Sequence, residues 1–211
     1  MIRRCAGFWA NTQNFLRLIQ GVLGWRGTEQ KGRNVLAGID ESRAFVSINI
    51  AVLTVSDTRT QSNDTSGDIL AERIVQKGHC VIDRKILPDD QNGLVAQLDA
   101  WCDAPDVDVI ITTGGTGVTG RDVTVEAHRR LYEKEIPGFG ELFRWLSFKT
   151  IGTSTVQSRA TAGGCRGAYM FALPGSTGAC KDAWDDILQY QLDIRHRPCN
   201  FVELMPRLTE V

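Results

Sequence analysis

Charge of neither sign is in excess: 24 Lys+Arg stand against 25 Asp+Glu, a formal net charge of −1 over 211 residues. A nucleic acid or an anionic membrane therefore meets no global field, and an anion has to be bound locally. Long apolar runs are also missing. A membrane-spanning helix needs ~18 consecutive apolar residues, whereas Val107 to Thr113 already contains Asp108 and stops at Gly114. The cysteines, Cys5, Cys80, Cys102, Cys165, Cys180 and Cys199, form no C-x-x-C pair and no Cys/His cluster. That scatter argues against a zinc framework or a disulfide scaffold. With no secretory signal it favours free thiols in a reducing compartment, the cytoplasm by default. His79, His128 and His196 are isolated and G-x-S-x-G is absent, which leaves hydrolase chemistry without support. No internal repeat or low-complexity tract occurs.

What is present is 42% hydrophobic and 23% charged residues, the composition of one ordinary-sized globular core, or of one core and a tail. The chain divides at about Ser47. Residues 1–46 hold Gly21, Gly24, Gly27, Gly32 and Gly38, lack strand-like alternation, and are expected to form a poorly ordered N-terminal extension. Phe15, Leu18, Ile19, Val22 and Leu23 at helical spacing, with no acid before Glu29, leave a short amphipathic helix or an organellar transit peptide as the alternative. Residues 47–211 are expected to form the folded domain.

From Ile48 onward β-branched runs alternate with helix-period segments, which predicts an α/β sheet covered by helices. Strands are expected over Ile48–Val55, Cys80–Leu87, Val107–Thr113 and Ala168–Leu173. Thr65 and Asp68 have capping-box spacing ahead of the Leu70, Ala71, Ile74 and Val75 stripe, and Gly78 is a helix stop. Leu94, Val95, Leu98, Trp101 and Cys102 mark a second helix that ends before Pro105. Val123–Tyr132, Phe139–Leu146 and Cys180–Leu188 mark three more.

The third strand empties into Thr112-Thr113-Gly114-Gly115-Thr116-Gly117. Glycines there let backbone N–H groups converge on an anion, and such a loop lies outside the carboxyl ends of the strands, where open α/β sheets bind ligands. A tight turn with no ligand is the bland alternative. Gly115, Gly117 and Gly120 also satisfy G-x-G-x-x-G, but a dinucleotide fingerprint follows the first strand of its unit and this loop follows the third.

Asp122 lies five positions past Gly117, Asp89 and Asp90 follow the second strand, and Asp57 follows the first. A parallel sheet can bring these acids to one edge, where ionised carboxylates suit Mg²⁺ bridging nucleotide phosphates. Taken singly, each acid is better read as a solvated turn or a helix cap, Asp122 in particular; only their convergence points to chemistry. Within residues 157–164, Arg159 can fork onto a phosphate and Ser158 can donate to one; a surface loop with a structural salt bridge is the alternative. Pro174-Gly175-Ser176-Thr177 leads into a helix, which its hydroxyls can cap unless they meet a polar ligand.

Thr54-Val-Ser-Asp57, Asp64-Thr-Ser-Gly67, Thr112-Thr-Gly-Gly-Thr-Gly117, Arg121-Asp-Val-Thr124, Pro137-Gly-Phe-Gly-Glu141, Ser158-Arg159 and Leu173-Pro-Gly-Ser176, in this order, resemble the MoaB/MogA family of molybdenum cofactor biosynthesis proteins. That fold recurs in the plant and gephyrin G domains. The resemblance runs from about Ile48 to Asn200, and residues 143–155 and 197–201 resemble the MoaB branch. It implies a three-layer α/β sandwich with a mostly parallel central sheet, commonly a trimer or a hexamer, that binds molybdopterin. Active members use Mg-ATP to adenylylate the terminal phosphate of molybdopterin, releasing pyrophosphate ahead of molybdate insertion by a downstream protein. Other members bind the pterin without catalysis and lack one or both acids. By resemblance Asp89 and Asp122 are catalytic and hold Mg²⁺, and Ser158 is the functional serine. Thr113, Gly114, Gly115, Thr116, Gly117, Arg159, Gly175 and Ser176 bind the pterin and its phosphate; Ser56, Asp57 and Gly67 bind the nucleotide. This chain keeps both acids, so an active adenylyltransferase is expected.

Overall fold

The computed structural model describes residues 37–210. Its elements in chain order are β1 (Gly38–Ile39), β2 (Asn49–Val55), α1 (Thr65–Lys77), β3 (Cys80–Leu87), α2 (Gln91–Cys102), β4 (Val109–Thr113), α3 (Thr124–Arg129), β5 (Lys134–Glu135), α4 (Pro137–Ile151), β6 (Thr161–Cys165), β7 (Ala168–Leu173), α5 (Thr177–Ala183), α6 (Gln189–Gln191), β8 (His196–Arg197) and α7 (Phe201–Leu204). Six strands form one sheet in the order β3-β2-β4-β7-β6-β5. Pairs β2/β3, β2/β4 and β4/β7 are parallel, while β6/β7 and β5/β6 are antiparallel. The central strands β2, β4 and β7 are covered on both faces, which is why their sequences read as near-continuous apolar runs.

Side-chain alternation decides the layers. Along β2, Ile50 and Val52 join Leu70 and Ile74 of α1, Phe139 and Phe143 of α4 and Cys180 of α5 in one core. Ala51, Leu53 and Val55 join Leu94, Leu98 and Trp101 of α2 and Ala127 of α3 in the other. The sheet is therefore the middle of three layers, as expected. Among the described residues no helix is long and apolar enough to cross a membrane.

Local chemistry departs from expectation in three places. The cap of α1 is Asp64, whose carboxylate accepts from the Gly67 N–H at 3.0 Å; Thr65 is already helical, and no Thr65–Asp68 capping box forms. The helix then ends at Gly78, left-handed at φ 99°, as its position suggested. Strand β6 begins inside the segment read as a loop and runs one residue past it. Its two glycines hid it, yet Gly163 is required there, since a Cβ would stand 2.5 Å from the Tyr132 ring. Helix α3 starts at Thr124 and spans six residues, short of the stretch to Tyr132.

The expected boundary at residue 46 also shifts. Gly38 and Ile39 pair with Arg197 and His196, Asp40 meets the Arg197 guanidinium at 3.3 Å, and the Phe45 ring lies 5.0 Å from that of His79. Residues 37–46 thus strap onto the domain. The remainder of the expected extension, with its possible helix and Cys5, lies outside the described residues.

Two buried histidines set an acid limit on this fold. His79 accepts the Ile48 N–H at 3.3 Å on Nδ1, and its burial pushes the pKa down to about 4. His128, with Nε2 2.9 Å from Thr112 Oγ1, is fully buried and pushed down to about 3. Unfolded histidine titrates near pH 6.5, so below that the unfolded chain takes up protons that the folded chain refuses. Stability is complete above about pH 6.5 and falls as the pH drops towards these values, at up to ~1.4 kcal/mol per unit for each histidine. A urea midpoint measured at about pH 5 should lie well below that at about pH 7.5; equal midpoints would contradict the burial.

Candidate active site

The carboxyl ends of β2, β4 and β7 carry the loops that build the site. After β4 the chain turns at Gly114 (φ 103°) and Gly115 (φ 62°), both left-handed, so side chains there are strained whatever the space. Space is lacking too. A Cβ on Gly114 would stand 2.2 Å from the Val55 carbonyl oxygen, and one on Gly115 would stand 2.4 Å from Thr124 Oγ1 and 2.8 Å from Asp89 Oδ1. Gly175, from the loop after β7, closes over Gly114, where its Cβ would come within 3.1 Å of the Gly114 Cα. Thr113 Oγ1 donates to the Pro174 carbonyl at 3.0 Å, and Thr124 Oγ1 donates to the Gly114 carbonyl at 2.8 Å. The loop is thereby held from both flanks.

The acids expected around this loop do meet it, in different ways. Asp122 Oδ2 accepts from Thr119 N–H at 2.8 Å and Thr119 Oγ1 at 2.6 Å, and would contact a Cβ on Gly117 at 2.8 Å. Burial opposes its charge, but the Thr119 bonds, a Gly117 N–H and the Arg159 charge hold its carboxyl below the usual range. It is no helix cap: α3 begins two residues later, behind Val123, which makes no side-chain cap. Asp89 closes on the loop at Gly115, and its carboxylate receives no hydrogen bond from the described residues. Burial, then the charges of Asp57 and Asp122, push its pKa up, against the pull of Arg121. Asp90 is the cap of α2, accepting from Gly93 N–H at 2.8 Å. Asp57 accepts the Asp89 N–H at 3.3 Å and pairs with Arg121.

Two cavities flank the loop, and a third lies next to the second. One of about 480 Å³ is lined by Gly115, Thr116, Gly117, Asp122, Ser158, Gly175 and Ser176, with Phe143 and Ile151 of α4 on its apolar side. A smaller one of about 230 Å³ shares Gly115 and Gly175 with it and adds Ser56, Arg59, Thr113 and Gly114. A third of about 520 Å³ shares Ser56 and Arg59 with the second and adds Asp57, Arg84 and Lys85. Asp89 lines none of the three, although its carboxylate lies against Gly115. Gly67 lines none of the three; it is buried inside the α1 cap, where a Cβ would stand 2.1 Å from Asp64 Oδ2. Ser176 lines the first cavity while its hydroxyl caps α5, accepting from Ala179 N–H at 3.1 Å.

Arg159 has a role other than the expected phosphate fork. Its Nε donates to the Gly117 carbonyl at 2.6 Å, one terminal nitrogen donates to the Asp122 carbonyl at 2.9 Å, and both terminal nitrogens reach the Glu126 carboxylate. Its own N–H bonds the Thr116 carbonyl at 3.3 Å. Four of five guanidinium donors are engaged, so Arg159 braces the path from Gly117 to Asp122. Arg159→Lys keeps the charge and loses the fork. Turnover should drop about 10–100-fold through misplacement of Asp122, while the thermal midpoint moves little; an unchanged rate would contradict the brace.

Glu126, Thr119, Thr124, Asp64 and Arg84 were missed from sequence. Thr124 lies in the Arg121-Asp-Val-Thr motif and could have been singled out; the pairing of Glu126 with a residue 33 positions away carries no local signal.

Comparison with known proteins agrees with this architecture. The family described as a probable molybdopterin binding domain matches residues 51–194. Molybdenum cofactor biosynthesis protein B of Escherichia coli (strain K12) is 48% identical over 160 residues, covering 76% of this chain and 94% of that protein. The protein of the same name from Staphylococcus epidermidis is 46% identical over 149 residues, covering 69% and 85%. A crystal structure of molybdenum cofactor biosynthesis protein B has a TM-score of 0.72 at 36% identity, covering 80% of this chain and all (100%) of that one. The tungsten cofactor synthesizing protein MoaB from Pyrococcus furiosus has a TM-score of 0.61 at 39% identity, covering 69% and 92%. The chain belongs to the MoaB/MogA family of molybdenum cofactor biosynthesis proteins, in its MoaB branch.

Proposed function

We propose that the chain binds molybdopterin and adenylylates its terminal phosphate with Mg-ATP, releasing pyrophosphate. One observation carries this reading: a glycine loop flanked by Asp89 and Asp122 forms the partition between the 480 Å³ cavity and the polar cavities beyond Gly115 and Gly175. The cavity with the α4 wall suits a flat heterocycle ending in a phosphate, and the Ser56 and Arg59 side suits a nucleotide. Their phosphates then meet at the loop.

The donor set fits Mg²⁺. This ion keeps several waters and is held by one or two carboxylates with substrate phosphates. Asp89 has unengaged oxygens and Asp122 keeps acceptor capacity, while no group of three or more His, Cys, Asp or Glu among the described residues could hold a metal unaided. When bound, Mg²⁺ would neutralise phosphate charge.

The chain's own part is positioning. A terminal phosphate oxygen of molybdopterin attacks the α-phosphorus of ATP; the new P–O bond forms as the bond to the β-phosphate oxygen breaks, and that electron pair leaves with pyrophosphate. Glycine-loop N–H groups hold the pterin phosphate, Asp122 and Asp89 would hold the Mg²⁺ that offsets the polyphosphate charge, and Ser158 donates to the pterin phosphate. The product passes to a molybdate-inserting protein in the same reducing cytoplasm, in keeping with the five free cysteines among the described residues. With molybdopterin and Mg-ATP together the protein should release pyrophosphate, and with ATP alone it should not. Pterin bound with no release would support a non-catalytic carrier.

The working unit is a homo-oligomer. The outer side of α4 leaves Leu142, Trp145 and Phe148 exposed at three-residue spacing, and Val156 is 80% exposed beyond it. Light scattering should give three or six times the 23.3 kDa chain mass. Trp145→Asp should reduce it; a wild-type monomer would contradict association.

A further inference from the structure

The 480 Å³ cavity continues past the glycine loop into a part that the reaction above leaves unused. Ser176, Ala179 and Asp182 line it at three-residue spacing, so one face of α5 runs along it, and Phe143 and Ile151 of α4 line it too. Asp182 stands six residues past Ser176, about 9 Å along a helix, which puts it well away from the loop. Its carboxylate is half-buried and accepts no hydrogen bond from the described residues. The neighbouring acids are better supplied: Asp185 is held by Arg73 at 2.7 and 2.9 Å, and Asp122, at the loop end of the same cavity, by Thr119. No lysine or arginine lines the cavity. Burial, then the charges of Asp186 and Asp185, push the Asp182 carboxyl pKa up, as expected of an acid short of donors. A carboxylate left in that state inside a cavity gains from any ligand that brings it N–H groups.

We propose that Asp182 is the residue that reads the heterocycle: its two carboxylate oxygens accept the 2-amino N–H and the adjacent ring N3–H of an aminopyrimidinone. These donors lie side by side on one edge of the ring, and a carboxylate can accept both at once, as it does from a guanidinium. The pairing also fixes the direction of entry. With the donor edge on Asp182, the opposite end of the fused rings, which carries the phosphate, faces the glycine loop. Asp182 is then a specificity residue, remote from the reacting phosphorus, that turns binding at one end of the substrate into placement at the other. This inference rests on the molybdopterin-binding part of the reading above and deepens it.

The test titrates the full chain with two fluorescent probes, 6-hydroxymethylpterin monophosphate and its lumazine counterpart, in which a carbonyl oxygen replaces the 2-amino group. Wild-type protein should bind the pterin about 10–100-fold more tightly, because the lumazine turns a carbonyl towards the carboxylate. Asp182→Asn presents one acceptor and one donor, the complement of the lumazine N3–H and carbonyl, so the preference should reverse. Asp182→Ala should bind the pterin about tenfold more weakly than wild type and hold both probes alike. Thermal midpoints should stay near that of the wild type, since the side chain makes no bond within the fold. A merely structural acid would leave the ratio of the two dissociation constants the same in all three proteins. That result overturns the inference, as does a wild type that binds neither probe or fails to discriminate between them. If the wild type discriminates yet releases no pyrophosphate from molybdopterin and Mg-ATP, adenylyl transfer fails while the role of Asp182 stands.

Discussion

Asp122→Asn should slow pyrophosphate release about 10²–10³-fold, the range found when one preorganised electrostatic group is removed, with molybdopterin affinity within about twofold. The substitution is nearly isosteric. An asparagine carbonyl can still accept from Thr119 N–H and Oγ1, which hold the native side chain at 2.8 and 2.6 Å, so the loop between Gly117 and α3 keeps its path. What goes is the charge. The surroundings of Asp122 are arranged to keep that charge, since its hydrogen bonds outweigh the opposing burial. On the proposed reading the pterin phosphate is held by backbone N–H groups and loses nothing. A variant that turns over at the wild-type rate would remove Asp122 from the chemistry; one that loses pterin binding would show that the carboxylate instead shapes the pocket.

Asp64→Ala should be among the most destabilising single changes in the domain, at about 3–5 kcal/mol, because it breaks a buried charged pair from one side. Asp64 is fully buried, and three groups converge on its carboxylate: Gly67 N–H at 3.0 Å, Thr54 Oγ1 at 2.8 Å and Arg84 at 2.7 Å. Alanine would leave the first turn of α1 uncapped and a half-buried guanidinium with only the exposed Asp68 as carboxylate partner. For a chain of this size the thermal midpoint should fall by roughly 6–20 °C. Asp68→Ala, which removes the exposed partner of the same arginine, should cost about 1 kcal/mol or less. Equal losses in the two variants would contradict the burial of the Asp64 pair.

What could be read from the sequence is what depends on neighbours along the chain. Strand periodicity in Ile50 to Val55, the stripe through Leu70 and Ile74, the stop at Gly78 and the glycine loop after β4 are local patterns, and each stands in the fold where its pattern indicated. Partnerships across the chain were not legible. Gly163 and Gly164 weaken a strand by propensity, and only the Tyr132 ring packed on Gly163 explains why one runs there. Arg159 offered a fork suited to phosphate, yet the carbonyls of Gly117 and Asp122 and the Glu126 carboxylate took its donors first. Thr65 and Asp68 had the spacing of a capping box, but Asp64, one residue earlier, had Thr54 and Arg84 waiting in the folded chain. Asp89 and Asp122 are the exception: a parallel sheet allows acids that follow its strands to share one edge, and in the fold they lie against Gly115 and Gly117 of the same loop.

Adenylyl transfer at this glycine loop is tested most directly by a rapid-quench single turnover. Wild-type protein mixed with molybdopterin and ATP labelled at the α-phosphate, in the presence of Mg²⁺, should move the label into the pterin as pyrophosphate appears in equal amount. Label that stays in ATP while the pterin remains bound and unaltered would contradict the account.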